Sequence, residues 1–218
     1  MHTSQSQWSR LLLVEGVPGV GKSTLLDALL RAYVRQRPAR QLRTLLHLTQ
    51  AHTYGPLAPA EDVGTLTRAD ALAHLDLVVR GLEWAVAALA SERTPKLFVL
   101  VDTLHLTHCH RPGAVRWPDV VPIDARLAAA GCRLVFVQAR RETLRARALA
   151  RSGTQFLEDY ARPRWGPSDD DVVGGLVREQ AEMLQQLAAT RMPTLVLDAE
   201  DPLDRSLEAA SRFWLERP

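Results

Sequence analysis

Residues 11–24 decide the fold, and they read Leu11-Leu12-Leu13-Val14-Glu15-Gly16-Val17-Pro18-Gly19-Val20-Gly21-Lys22-Ser23-Thr24. The segment from Gly16 to Ser23 matches the phosphate-binding motif G-x-x-x-x-G-K-[ST] in full. An apolar run typical of a buried strand precedes the motif, and leucines at helical spacing follow it. A phosphate cradle requires this order, because backbone N–H groups and a helix N-terminus must face the phosphate oxygens. We therefore expect residues 16–24 to bind a nucleotide.

Each residue type in the motif has a physical role. Glycines allow a tight turn around phosphate oxygens, and Lys22 places a full charge at the β- and γ-phosphates. Ser23 is the expected ligand of a magnesium ion that bridges those phosphates. The alternative is a glycine-rich turn with a chance lysine, and the matching flanks argue against it. Lys22 is also one of only two lysines in the chain.

Length and charge restrict the class of protein. A chain of 218 residues suits one large α/β domain spanning residues 1–218. The net charge of +2 gives no electrostatic case for a nucleic acid or membrane partner. Cys109 and Cys132 fit neither a disulfide framework nor a zinc motif. The polar N-terminus lacks a signal sequence, so we expect a cytoplasmic protein.

Apolar runs predict five strands that alternate with helices. The strands are expected at residues 11–14, 44–48, 97–101, 134–137 and 194–197. A loop is expected over about 51–64, and long helices over 68–91, 142–151, 168–190 and from residue 201 onward. This alternation predicts right-handed crossovers and a parallel sheet with ligands at the carboxyl edge of its strands.

Asp102 is the second candidate for chemistry. It follows the buried run 97–101, so its carboxylate is expected at the sheet edge beside the phosphate loop. There it would hold magnesium or accept a proton from an attacking hydroxyl. The alternative is an aspartate that caps a helix or turn. His105, His108 and His110 follow in the next loop, and their spacing does not favour zinc. His105 is taken as a candidate acceptor contact.

An arginine-rich segment follows the fourth strand. Arg140, Arg141, Arg145, Arg147 and Arg151 repel one another unless an anion approaches them. One interpretation is a lid over residues 140–167 whose guanidinium groups, above all Arg145, Arg147 and Arg151, close over the transferring phosphoryl group. The other is a solvated arginine face. Arg162 and Arg164 are further candidates for the lid.

Taken in order, these features resemble a known family. The segment 14–23, Asp102, the arginine-rich helix and the terminal run 196–199 are similar to the thymidylate kinase-like branch of the P-loop nucleoside and nucleotide kinases. The resemblance implies a three-layer α/β/α P-loop NTPase fold, a five-stranded parallel sheet in the order 2-3-1-4-5 and a helical lid. It also implies phosphoryl transfer from ATP with Mg²⁺.

Two departures from that family concern the acceptor. The family has an acidic segment after the second strand, where this chain reads Thr49-Gln50-Ala51-His52-Thr53-Tyr54-Gly55-Pro56. It also has an arginine directly after the aspartate of the third strand, where this chain has Thr103. A phosphorylated acceptor would lose a bidentate clamp, which favours a neutral hydroxyl compound. Candidate pocket residues are Gln50, His52, Tyr54, Trp84 and Trp117.

Three functions remain open from the sequence. The leading hypothesis is a small-molecule kinase that acts on a hydroxylated metabolite, nucleoside or nucleotide. The second is a regulatory P-loop ATPase or nucleotide-binding switch, and the third is a silent nucleotide-binding fold. The helix at 68–91 would also suit a homodimer face, although core packing explains its pattern equally well.

Overall fold

The computed structural model describes residues 10–35, 44–90, 97–111, 115–150 and 156–215. Five parallel strands form one sheet in the order β2-β3-β1-β4-β5, as predicted. Their bounds are β1 Arg10–Glu15, β2 Thr44–Leu48, β3 Leu97–Asp102, β4 Arg133–Gln138 and β5 Thr194–Asp198.

Helices cover both sides of the sheet. The main ones are α1 Lys22–Arg35, α4 Arg68–Ala90, α6 Trp117–Ala129, α7 Arg141–Ala150, α9 Asp169–Ala189 and α10 Leu203–Leu215. Shorter α-helical segments are α2 Gln50–Thr53, α3 Ala58–Asp62, α5 His105–His108 and α8 Arg162–Trp165, and a π-helix spans Phe156–Ala161.

The central strands carry the core. Leu11 to Val14 on β1 and Phe98 to Val101 on β3 are buried, as expected for strands covered on both faces. Where α1 and α10 meet over β3, the rings of Tyr33 and Trp214 lie 4.7 Å and 5.8 Å from that of Phe98. This packing fixes the strand that ends at Asp102.

The prediction of a loop over 51–64 is wrong. The chain instead forms α2, a 3-10 helix at Gly55–Leu57 and α3. Prolines lie in the first turn of the last two, where a missing N–H costs nothing. Tyr54 and Leu57 are buried in the core, and this tertiary contact outweighs the local turn signals.

Helix α4 lies close to the predicted bounds of 68–91 and buries Leu75, Val79 and Leu82 on one face. Trp84 on the same helix is 74% exposed, so it neither packs nor lines a pocket. The homodimer stays a prediction. Within the described ranges, no helix combines the length and apolar character that a membrane crossing requires.

Candidate active site

The loop between β1 and α1 has a backbone that only glycine adopts easily. Gly16, Gly19 and Gly21 have φ angles of 144°, 82° and 109°. A Cβ on Gly16 would lie 2.5 Å from the carbonyl oxygen of Val137, and one on Gly21 would lie 3.0 Å from a nitrogen of Arg147. All three positions therefore favour glycine by their backbone conformation, and Gly16 is required as well by the close approach of the Val137 backbone.

Lys22 is the first residue of α1 and holds the loop together. Its Nζ donates to the carbonyl oxygens of Gly16 at 2.6 Å and Val17 at 3.1 Å. Ser23 and Thr24 follow in the first turn of the helix and are exposed. One cavity of about 820 Å³ is lined by the loop and by Lys22, Ser23 and Thr24. Val17 is the exception within the loop, because it is buried and does not line the cavity.

The cavity extends beyond the loop to residues of several other elements. Its lining includes Arg147 together with Leu197, Asp198 and Ala199 at the end of β5. It also includes Gln50, Asp102, Thr103, Arg111, Tyr160 and Glu179. The loop and these polar and charged side chains therefore share one continuous space.

Asp102 ends β3 beside the loop, where the sequence predicted it. Its Oδ1 atom is buried and has no hydrogen-bond partner among the described residues. Burial raises the pKa of this carboxyl group, against the opposing charges of Lys22 and His47. A buried carboxylate oxygen without a partner suits a hard cation such as Mg²⁺. In the described part of the chain, no three His, Cys, Asp or Glu residues come together as a metal-binding group.

Thr103, the next residue, turns the chain sharply. Its φ of 55° is an outlier for a β-branched residue. The turn brings the backbone N–H groups of Leu104 and Leu106 to Oε1 of Glu15, at 2.8 and 3.2 Å, and the Thr107 hydroxyl donates to Oε2 at 2.6 Å. Glu15 is fully buried, so it ties the end of β1 to the segment after β3.

The predicted lid arginines are separated by the structure. Arg147 lines the cavity and donates to the carbonyl oxygens of Val20 at 2.7 Å and Ala199 at 3.0 Å. Arg145 pairs with Asp170 and Arg140 with Glu200. Acidic residues of the same chain therefore reduce the predicted repulsion between the arginines. Arg151 lies outside the described residues, and the lid over 140–167 stays a prediction.

The predicted acceptor contacts are only partly brought together. Gln50 lines the cavity. His52 is exposed and its Nδ1 lies 3.2 Å from the backbone nitrogen of Thr49, where it helps to cap α2. Tyr54 is buried outside the cavity lining, and so is His105, whose Nε2 lies 3.4 Å from Asp124. Trp117 packs near His105, with ring centroids 6.0 Å apart.

Sequence reasoning missed Arg111, Tyr160 and Glu179. The guanidinium of Arg111 lies over two tyrosine rings, 4.8 Å from the Tyr54 centroid and 4.7 Å from that of Tyr160. Arg111 therefore supplies a positive charge to the cavity although no arginine directly follows Asp102. Its signal in the sequence was weak, because it lies nine positions after Asp102.

Comparisons with known proteins support the architecture. No protein-family model matches the chain, and no curated protein sequence matches it. Among solved structures, the chain is similar to the YorR protein of Bacillus subtilis, determined in complex with phosphorylated GDP. The two are 11% identical, with a TM-score of 0.55 and 92% of each chain covered. The chain has the fold of the P-loop NTPases. At this identity the similarity establishes the fold alone.

Proposed function

We propose that this P-loop protein transfers the γ-phosphoryl group of ATP to a hydroxyl group of a small acceptor, as a divergent relative of the thymidylate kinase-like branch. The observation that carries the proposal is a cavity of about 820 Å³ whose lining joins the phosphate loop to Asp102, Arg111 and Glu179. A simple nucleotide-binding switch would need only the phosphate loop and its metal-binding residues. The nucleotide bound by the similar YorR protein supports a nucleotide ligand here as well.

The residues present fit ATP and Mg²⁺. The positive-φ glycines and Lys22 would bind the phosphates, while Ser23 and the unpartnered oxygen of Asp102 would hold the metal. A metal ion held there would offset the negative charge of the phosphates. Arg147, already held at the carbonyl of Val20, would neutralise the developing charge beside the loop. Arg145 and Arg151 stay proposed members of a lid.

The acceptor class is a hydroxylated metabolite, a nucleoside or a nucleotide. The absence of an arginine after Asp102 favoured a neutral acceptor, but Arg111 lies in the cavity wall and offers an alternative partner for an anion. We therefore define the acceptor by its hydroxyl group and leave its charge to experiment.

The test is a screen with ATP and Mg²⁺. The acceptor panel contains ribonucleosides and deoxyribonucleosides, their 5′-monophosphates, hexoses and aminoglycosides, with phosphorylated products detected by mass spectrometry. A kinase phosphorylates a member of the panel and consumes ATP many times faster in its presence. Slow ATP turnover that ignores every acceptor contradicts the proposal and favours the regulatory ATPase.

Lys22→Ala should abolish ATP turnover while the protein stays folded, because the charge at the β- and γ-phosphates is lost. Isothermal titration calorimetry and product analysis measure the effect. Arg31→Ala is the control, since it removes an exposed cation from the same helix. Wild-type turnover in Lys22→Ala would remove the phosphate loop from the proposed mechanism.

A further inference from the structure

Glu179 occupies a position where the pattern of its helix calls for an apolar residue. On α9 it stands between Leu176 and Met183, which are both fully buried and lie three positions before it and four after it. Such residues share one helix face. Glu179 itself is only 5% exposed. The amphipathic pattern of α9 therefore breaks at one ionisable residue on its buried side.

Neighbouring contacts fix Glu179 in the cavity wall. The next residue, Gln180, bonds both the N–H and the carbonyl of Ala139 just beyond β4, each at 2.9 Å. These two hydrogen bonds to the backbone anchor α9 to the carboxyl edge of the sheet. Glu179 consequently lines the same cavity as the phosphate loop and Asp102.

The electrostatic surroundings of Glu179 combine burial with several charges. Burial raises the pKa of its carboxyl group to about 7, against the positive charges of Arg164, Arg111 and Lys22, while Glu182 adds to the increase. Arg164 lies closest, with Nη2 3.3 Å from Oε2, and it also donates to the carbonyl of His110. Glu179 and Lys22 line the same cavity, and the positive charge of Lys22 favours the ionised form of the Glu179 carboxyl group.

A buried carboxylate in this position is costly for stability. One ion pair with a partly exposed arginine does not fully offset the loss of hydration, and well-packed apolar residues often serve stability equally well. Core packing alone thus gives no reason for a glutamate here. A carboxylate at the wall of a reaction cavity, with a pKa near neutrality, is suited to proton transfer.

We infer that Glu179 is the general base that receives the proton of the acceptor hydroxyl. The inference rests on the proposed phosphoryl transfer. In the step, the acceptor oxygen forms a bond to the γ-phosphorus of ATP while the bond from that phosphorus to the β–γ bridging oxygen breaks, and ADP leaves. The hydroxyl proton passes to a carboxylate oxygen of Glu179, which later releases it to solvent.

This assignment divides the work between two carboxylates. Asp102 lies at the end of β3 with a buried, unpartnered oxygen suited to magnesium. Glu179 approaches the cavity from a different element and is paired with Arg164. Two carboxyl groups in different environments can hold different protonation states at one pH, as acid–base chemistry requires.

The test compares Glu179→Gln, Glu179→Asp and the wild type in the acceptor panel with ATP and Mg²⁺. Glu208→Gln is the control, because it makes the same chemical change at an exposed position outside the cavity lining. We expect Glu179→Gln to lower kcat at least about a hundredfold, with ATP affinity within about threefold of the wild type. Its residual rate should lose the rise with pH around 7 that the wild type shows, while Glu179→Asp keeps a pH-dependent rate.

A second readout does not depend on turnover. Carbon-13 NMR of glutamate carboxyl groups identifies the Glu179 signal by its loss in Glu179→Gln. That signal should shift when the acceptor that the wild type phosphorylates is added, still unphosphorylated, together with a non-hydrolysable ATP analogue. An active Glu179→Gln variant, an unshifted signal, or equal losses in ATP affinity and turnover overturns the inference while the proposed function stands. A wild-type protein that phosphorylates no panel member overturns both.

Discussion

Three carboxylates near one edge of the sheet have different fates. Glu15 has both oxygens bonded to donors from the segment after β3. Asp102 keeps one buried oxygen without a partner in the described structure, and Glu179 forms an ion pair with Arg164. The carboxylate of Glu15 is therefore structural, because hydrogen-bond donors occupy both of its oxygens. Those of Asp102 and Glu179 have fewer donors and are suited to chemistry.

Asp102→Asn should lower the rate of phosphoryl transfer at least about a hundredfold. The amide has a similar shape but carries no charge, so it holds a magnesium ion poorly. Steady-state kinetics over a range of Mg²⁺ concentrations measure the effect, with ATP binding in the absence of metal as the reference. A near-normal rate would reduce Asp102 to a turn-capping residue.

Glu15→Gln should destabilise the fold by about 1 to 3 kcal/mol, since one oxygen acceptor becomes an amide donor facing buried N–H or hydroxyl groups. Urea unfolding followed by circular dichroism gives the change in free energy. Glu208→Gln, at the protein surface, should leave the free energy of unfolding nearly unchanged. Equal effects of the two substitutions would contradict a structural role for the buried hydrogen bonds.

At the scale of elements, the phosphate loop depends on the strand beside it. Gly16 tolerates no side chain, because a Cβ would collide with the backbone of Val137 at the end of β4. The loop conformation is thus set jointly by its own glycines and by the packing of β4 against β1.

Gly16→Ala should remove nucleotide binding and destabilise the protein. Gly64→Ala is the matched control, because Gly64 also has a positive φ, of 69°, but a Cβ there would have nothing within 4 Å. The control carries only the conformational cost of roughly 1–2 kcal/mol. Nucleotide titration and chemical unfolding compare the variants, and similar behaviour of the two would argue against the steric explanation.

The arginine-rich helix α7 illustrates how elements share charge. The acidic partners of Arg145 in α7 and of Arg140 just before it come from distant parts of the chain. They are Asp170 in the first turn of α9 and Glu200 after β5. The sequence of α7 contains the positive charges but not their partners. Among the arginines of this segment that the structure describes, Arg147 alone lines the cavity.

At the scale of the whole molecule, the ionisation of Glu179 affects the pH dependence of folding. Its pKa is near 7 in the folded protein and near its usual lower value when unfolded. Between these values the folded state binds more protons, so the stability contributed by Glu179 declines as pH rises from about 4.5 to about 7.

Glu179→Gln does not titrate and should escape this decline. The free energy of unfolding of the variant minus that of the wild type should therefore increase across pH 4.5–7 and level off above it. Chemical denaturation at half-unit pH intervals measures the difference. The Glu208→Gln difference should stay flat, and a flat profile for Glu179→Gln would contradict the raised pKa.

The fold was largely predictable from local patterns. The five apolar runs predicted strands close to the observed bounds, and the helix predicted from residue 168 begins with a capping box formed by Ser168 and Asp171. Strand order followed from the resemblance to known kinases and agrees with the sheet. These features depend on hydrophobic periodicity and cap chemistry, which act over a few residues.

By itself, the sequence determined the five strands, the glycine-rich loop between β1 and α1 and the place of Asp102 at the end of β3, because each depends on adjacent residues. Only the tertiary structure decided which other side chains meet at the cavity. It brought Arg111 and Glu179 there and left His52, Tyr54 and His105 outside its lining. The physical reason is that a pocket wall is assembled by packing between distant elements, so helix rotation and sheet register select residues that no local pattern distinguishes.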